Sequence, residues 1–154
     1  MLIVMRGLFI AFVAFLYSGL LYAGDGSVSS PFTVEEALSK KNNNMLCYVS
    51  GYIVGEYVNY SNNKHFYNMA PPFEGTSTYL IADMPFEYRL EKCMTVQLGA
   101  ANTDICNLGE YPVYWNKKLL LQGNLSLFQT LPGIKNLKYF DLQMYEEGFI
   151  LRLP

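Results

Sequence analysis

The sequence predicts an all-β domain, a small five-stranded Greek-key barrel with a capping helix at its amino end. Three observations lead there. Five segments read as strands: Leu46–Val58, Thr78–Asp83, Lys92–Leu98, Lys117–Leu125 and Asn136–Leu142. Glycines fall inside the first and the fourth of them, Gly51, Gly55 and Gly123, where a strand can bulge or bend from one side of a barrel to the other. The link between the third and fourth segments, residues 99–115, does not read as strand, which suits Greek-key connectivity. An open antiparallel sheet with one helix is the alternative arrangement of the same segments.

The 154 residues, 51% of them hydrophobic, suffice for one domain with a packed core and exclude a two-domain enzyme. Residues 1–23 stand apart. Arg6 precedes the apolar run Leu8–Leu16, and Leu20-Leu21-Tyr22-Ala23 closes it before Gly24-Asp25-Gly26. A basic start, an apolar middle and a small residue before a polar turn is the order of a signal peptide. The chain is therefore expected to be exported to the periplasm or the exterior, with the cut after Ala23. An uncleaved anchor is the alternative, since about 20 residues of helix span a bilayer. Residues 24–30 read as a flexible lead-in, 31–142 as the domain and 143–154 as a carboxyl tail that could pair with another chain.

Within the domain, Pro31-Phe32-Thr33-Val34-Glu35-Glu36-Ala37-Leu38 reads as a helix start. Thr33 caps it, Glu36 closes a capping box and Phe32 packs toward Ala37. The helix is expected from Thr33 to Lys40, with Lys40-Lys41 in the last turn, where cations suit the helix dipole. In the first strand Cys47, Val49, Gly51 and Ile53 alternate with Tyr48, Ser50, Tyr52 and Val54. Residues 59–78 read as a long polar and aromatic loop, with an irregular hairpin inside it as the alternative. Met84-Pro85 ends the second strand, Met94, Val96 and Leu98 share one face of the third, and Phe128–Lys135 is a loop ahead of the fifth.

Little in the sequence points to catalysis. His65 is the one histidine, and no GxSxG elbow, HExxH helix, calcium loop or phosphate-binding glycine loop occurs. Asp83 and Glu87 could serve a metal-dependent nuclease, but no Arg and Glu partners accompany them, and Asp83-Met84-Pro85 reads more simply as a turn cap. No enzyme activity, cofactor or metal is expected on these grounds. Of the three cysteines, Cys47 reads as a small buried hydrophobe, and Cys93 and Cys106 are the pair an oxidising compartment could bridge.

Several of these segments together resemble a known family. Pro31–Leu38, Val49-Ser50-Gly51-Tyr52-Ile53-Val54-Gly55, Leu80–Asp83, Cys93–Leu98, Leu121–Leu125 and Pro132–Leu137 are similar, in order, to the secreted OB-fold domains of Bacteroides-type bacteria. The resemblance covers residues 31–142 and implies fold and compartment; that family has no agreed activity. The aromatic first loop and the tail Gln143–Pro154 depart from its pattern.

Binding is the function class that remains. In such a barrel the loops between strands one and two and between strands four and five flank the ligand face. The first carries Tyr57, Tyr60, Phe66 and Tyr67 and the second Phe128, rings that can stack on bases, sugars or peptide side chains. Charge then decides among partners. Beyond residue 23 ten Lys or Arg face thirteen Asp or Glu, a net of −3, with only Lys40-Lys41 and Lys117-Lys118 as pairs of cations. Phosphate tracking needs a denser cluster. A non-catalytic exported module for a glycan or protein is the leading expectation, with contact indifferent to salt. A single-stranded nucleic-acid binder and a structural accessory domain are the alternatives.

Overall fold

Helix α1, Val34–Ser39, starts where the sequence supplies its caps. The Oγ1 of Thr33 accepts from the Glu36 amide at 3.1 Å, and the Glu36 carboxylate accepts from the Thr33 amide at 2.8 Å. Asp83 reaches across from the sheet and accepts from the amides of Val34 and Glu35 at 2.6 and 2.8 Å. The amides that a helix start leaves without partners are thus bonded. The helix stops before Lys40, so Lys40 stands outside its last turn, with its ammonium 4.7 Å over the Phe32 ring. Lys41 lies outside the described residues. The computed structural model describes residues 23–40, 43–59, 65–99, 103, 106–128, 131–143 and 150–152.

Seven strands follow: β1 Leu46–Asn59, β2 His65–Asn68, β3 Thr78–Ala82, β4 Met94–Gln97, β5 Lys118–Phe128, β6 Leu131–Gln143 and β7 Ile150–Arg152. They form one mixed sheet in the order β2-β1-β3-β4-β6-β5, with β7 beside β6 and a further pairing of β1 with β5. The β4–β6 pair is parallel and the others are antiparallel. The expected five-stranded Greek-key barrel of OB-fold type is corrected to one mixed sheet of seven strands among the described residues, with an amino-terminal helix, in which β1, β3, β4, β6 and β5 pair in a circuit that returns to β1. Two strands escaped the sequence pattern. β2 is only four residues long inside the segment read as a loop, and β7 lies in the tail, where it pairs with this chain's own Asp141–Gln143.

Within the expected loop Phe128–Lys135, Phe128 ends β5 and Leu131–Lys135 belong to β6. Phe128 faces Leu131 and Leu127 faces Pro132 across the β5–β6 ladder. Pro and Gly disguise it. Gly133 is required there: a Cβ would run into the Oγ1 of Thr95, which faces it across the parallel pair and donates to the Phe128 carbonyl at 2.8 Å.

β1 holds the sheet together. Its residues 46–52 pair with β5, 52–56 with β3 and 56–59 with β2, so Tyr52 stands opposite both Lys118 and Ala82. The register with β3 shifts between Ile53 and Gly55. Gly51 lies at this hand-over, and a Cβ on it would sit 2.8 Å from the Cγ2 of Val34 and 3.0 Å from the carbonyl oxygen of Ala82. Replacing Gly51 by valine should cost about 1–3 kcal/mol by overpacking under the helix. Urea unfolding measures it, and an unchanged midpoint would refute the close approach.

Alternation in β1 and β5 puts Val49, Ile53, Leu119 and Leu121 in the main core, with Tyr79 and Ile81 from β3. β3 is buried at all five positions. Its other face, Leu80 and Ala82 with Val54 and Cys93, forms a second cluster covered by Tyr67, Met69, Leu90 and Leu131. Each large apolar side chain so buried contributes about 1.5–3 kcal/mol relative to exposure. Among the described residues there is no disulfide: Cys47, Cys93 and Cys106 are buried thiols, Cys93 in the second cluster and Cys106 in the main core.

Candidate functional site

The aromatic residues singled out in the sequence divide between cover and surface. Tyr57 is buried and faces Tyr67 across the β1–β2 ladder, with ring centroids 5.3 Å apart. Tyr67 packs on the second cluster, so this pair closes over apolar surface. Phe66, on the other side of β2, is exposed. Phe128 is half-buried at the end of β5, with the Lys135 ammonium 5.3 Å from its ring centroid. Tyr60 lies outside the described residues. The four that are described, Tyr57, Phe66, Tyr67 and Phe128, do not converge on one exposed face.

The segment that follows β2 is fixed by a residue the sequence reading passed over. Glu56 is 1% exposed, and its carboxylate accepts from the backbone amides of Glu74, Gly75 and Thr76 at 2.5, 3.1 and 3.0 Å. A buried carboxylate is tolerated only when donors surround it, and here three successive amides do so. Its trace in the sequence is one carboxylate in the apolar stretch Val54–Val58.

The largest exposed rings lie elsewhere, on the connector after β3. Phe86 and Tyr88 are 67% and 78% exposed, beside Met84 at 65%. Phe86 has φ +59°, a left-handed conformation that a bulky side chain rarely adopts. Asn116, itself at φ +61°, holds it there by accepting from the Phe86 amide at 2.6 Å. Trp115 stands behind, its ring edge-on to Phe86 at 5.5 Å and to Phe73 at 5.9 Å, and its indole N–H donates to the Val54 carbonyl at 3.3 Å. The Phe86 ring is thus propped from below, which limits the conformational entropy a ligand would have to remove.

Cations border the rings. Arg89 is bidentate on Glu87 at 2.9 and 2.7 Å. Lys92 reaches Glu35 at 3.4 Å, and Lys117 and Lys118 follow directly on Asn116. The Arg89 hydrogen bonds hold the Glu87 carboxyl down to about 2. The pair therefore stands above the ordinary carboxylate value of 4.5 and is lost only as pH falls toward 2. Carboxyl NMR should place the Glu87 midpoint well under 4.5; a midpoint at the ordinary value would show that the pair does not form in solution. Among the described residues no three His, Cys, Asp or Glu side chains are grouped to hold a metal ion. Asp83 is bonded to the helix amides and Glu87 to Arg89.

Sequence reasoning missed this patch although its signal was there. Met84-Pro85-Phe86-Glu87-Tyr88-Arg89 sets apolar rings beside a cation, and Trp115-Asn116-Lys117-Lys118 does the same thirty residues on.

A family model described as a domain of unknown function (DUF6359) matches residues 32–143. The chain belongs to that family. This replaces the resemblance to secreted OB-fold domains of Bacteroides-type bacteria. The DUF6359 domain is also similar to Endonuclease YhcR of Bacillus subtilis (strain 168), 27% identical over 112 residues. Those residues are 73% of this chain and 9% of the relative, so the chain spans under a tenth of that protein's length. No solved structure matches.

The likeness overturns three expectations at once. A glycan or protein module, an activity class of no enzyme, and nucleic acid as the less favoured partner all sit badly with a DUF6359 domain whose curated relative is an endonuclease. Net charge averages over the whole surface, so it does not exclude a local cluster of cations.

Proposed function

We propose that this domain binds nucleic acid in the service of strand cleavage, taking an unpaired strand on the patch of Phe86, Tyr88 and Trp115 with Arg89, Lys92, Lys117 and Lys118. The carrying observation is Phe86, an exposed ring held in left-handed backbone by Asn116. Strain of this kind, about 1–3 kcal/mol, persists where surrounding structure enforces it and clusters at functional sites. Base faces stack on such rings, and the exposed Lys118 answers the phosphates, with Arg89 and Lys92 shared between them and Glu87 and Glu35. The similarity to an endonuclease supports this choice of ligand over others an aromatic surface could serve. Export, expected from residues 1–23, belongs to the same proposal.

Trp115, the one tryptophan, lies 5.5 Å from the Phe86 ring and reports occupancy by its fluorescence. Titration with a single-stranded oligonucleotide should change that emission. If two or three cations are engaged, a fourfold rise in salt should weaken binding about 7- to 20-fold, from a slope of about −0.7 per phosphate contact on single strands. An affinity indifferent to salt, or no change in emission at all, would overturn the reading.

A second reading gives the chain a direct part in cleavage, and the endonuclease likeness favours it. Incubating the purified chain with single-stranded and plasmid DNA, with magnesium or calcium, tests it. Nicking that co-purifies with the chain supports it, and intact DNA argues for the gripping role alone.

A further inference from the structure

Beyond the patch, the outward face of β1, β5 and β6 carries a line of part-exposed tyrosines, Tyr48, Tyr52 and Tyr139, of which Tyr52 also packs on the second cluster. Tyr48, Ser50 and Tyr52 alternate with core residues along β1, and all three are part-exposed. Across the ladders, Tyr48 faces Gln122 and Gln122 faces Tyr139, so the two rings flank one residue of β5 at a centroid distance of 5.9 Å. At the other end of the line Tyr52 faces Lys118, whose ammonium is 5.9 Å from the Tyr52 ring centroid.

That end joins the patch. The Asn116 amide donates to the Ile53 carbonyl at 2.7 Å and the Ile53 amide to the Lys117 carbonyl at 3.0 Å, which seats the Trp115–Lys118 segment beside Tyr52. The surface therefore continues from Phe86 and Trp115 through Lys118 and Tyr52 to Tyr48 and Tyr139. Four residues of strand separate Tyr52 from Tyr48, about 13 Å.

We infer that this line is a second subsite for the same unpaired strand, which leaves the Phe86–Tyr88 patch at Lys118 and runs over Tyr52 to Tyr48 and Tyr139. The inference rests on the nucleic-acid reading of the patch. Continuity with that patch favours a strand over a separate ligand. The charges agree with it. Lys118 is exposed on the path, while Asp141, the carboxylate beside it, is 8% exposed and accepts from the Tyr139 hydroxyl at 3.2 Å. Ser50 and Gln122 supply hydrogen-bonding groups between the rings.

Length dependence tests it. Oligothymidylates of about 4 and about 12 nucleotides bracket the range of such sites. The unaltered chain should bind the longer one more tightly than added length alone allows. Tyr48→Ala should weaken the longer strand about fivefold or more, the loss of one stacked base, and leave the shorter one unchanged. Tyr48→Phe keeps the ring and should restore the affinity. Equal affinities for the two lengths, or an equal effect of Tyr48→Ala on both, would overturn the path while the patch keeps its ligand. An oligosaccharide that shifts the Tyr48 and Tyr139 NMR signals when the long strand does not would also overturn it. If neither strand binds the unaltered chain, the nucleic-acid reading falls, and the path with it.

Discussion

Replacing Phe86 and Tyr88 together by alanine should weaken the binding of a single-stranded oligonucleotide at least about 30-fold. Each base–aromatic stack lost to alanine costs about 1–3 kcal/mol, so two cost about 2–6 kcal/mol, and 1.4 kcal/mol is tenfold in affinity. Stability should barely respond, because both rings are mostly exposed and, among the described residues, only Phe86 touches another ring, that of Trp115. Phe86→Gly separates the two roles. Glycine adopts the left-handed backbone at no steric cost, so the fold should gain slightly while the affinity still drops. Fluorescence anisotropy and thermal unfolding measure both. Affinity within twofold of the unaltered protein would remove the patch from the account.

Glu56→Ala should destabilise the domain by about 3 kcal/mol or more. The change leaves the part-buried amides of Glu74, Gly75 and Thr76 without their acceptor, and a donor so abandoned costs about 1–3 kcal/mol where water cannot reach it. Glu56→Gln keeps one carbonyl oxygen for those amides and turns an NH2 group toward the rest, so it should lose less. Because Phe73 lies in the same segment and packs on Trp115, the alanine variant should also weaken nucleic-acid binding before it unfolds. Urea titration gives the first quantity and Trp115 emission the second. A loss under about 1 kcal/mol would mean that water replaces the carboxylate without penalty.

Sequence pattern recovered the parts whose physics is local. The capping box at Thr33 and Glu36 and the alternation along Leu46–Ile53 depend on residues a few positions apart, and both are in the structure. What it missed depends on distant neighbours. β3 has no alternation because a second apolar cluster covers its outer face, so its pattern gives no hint of which side is inward. The Leu131–Gly133 stretch carries loop-like residues yet lies in strand, since β4 needs a side-chain-free neighbour at Gly133. The Phe86 site needs Asn116, thirty positions away, to set its backbone, and no local rule makes that pairing visible.

The central place of β1 also bears on how this domain can change over time. It pairs with three strands and receives the Phe32 bridge at Val49, so alterations there disturb every part of the sheet. The segments bearing Phe86 and Trp115 join the ends of strands and contribute no ladder of their own. Substitutions of side chains in Met84–Arg89 leave the hydrogen-bonded frame in place, whereas the backbone of Asn116 and Lys117 is bonded to Ile53 of β1. The molecule thus sets the Phe86 and Tyr88 side chains on a connector outside the ladders, where new ligand preferences can arise without disturbing the sheet.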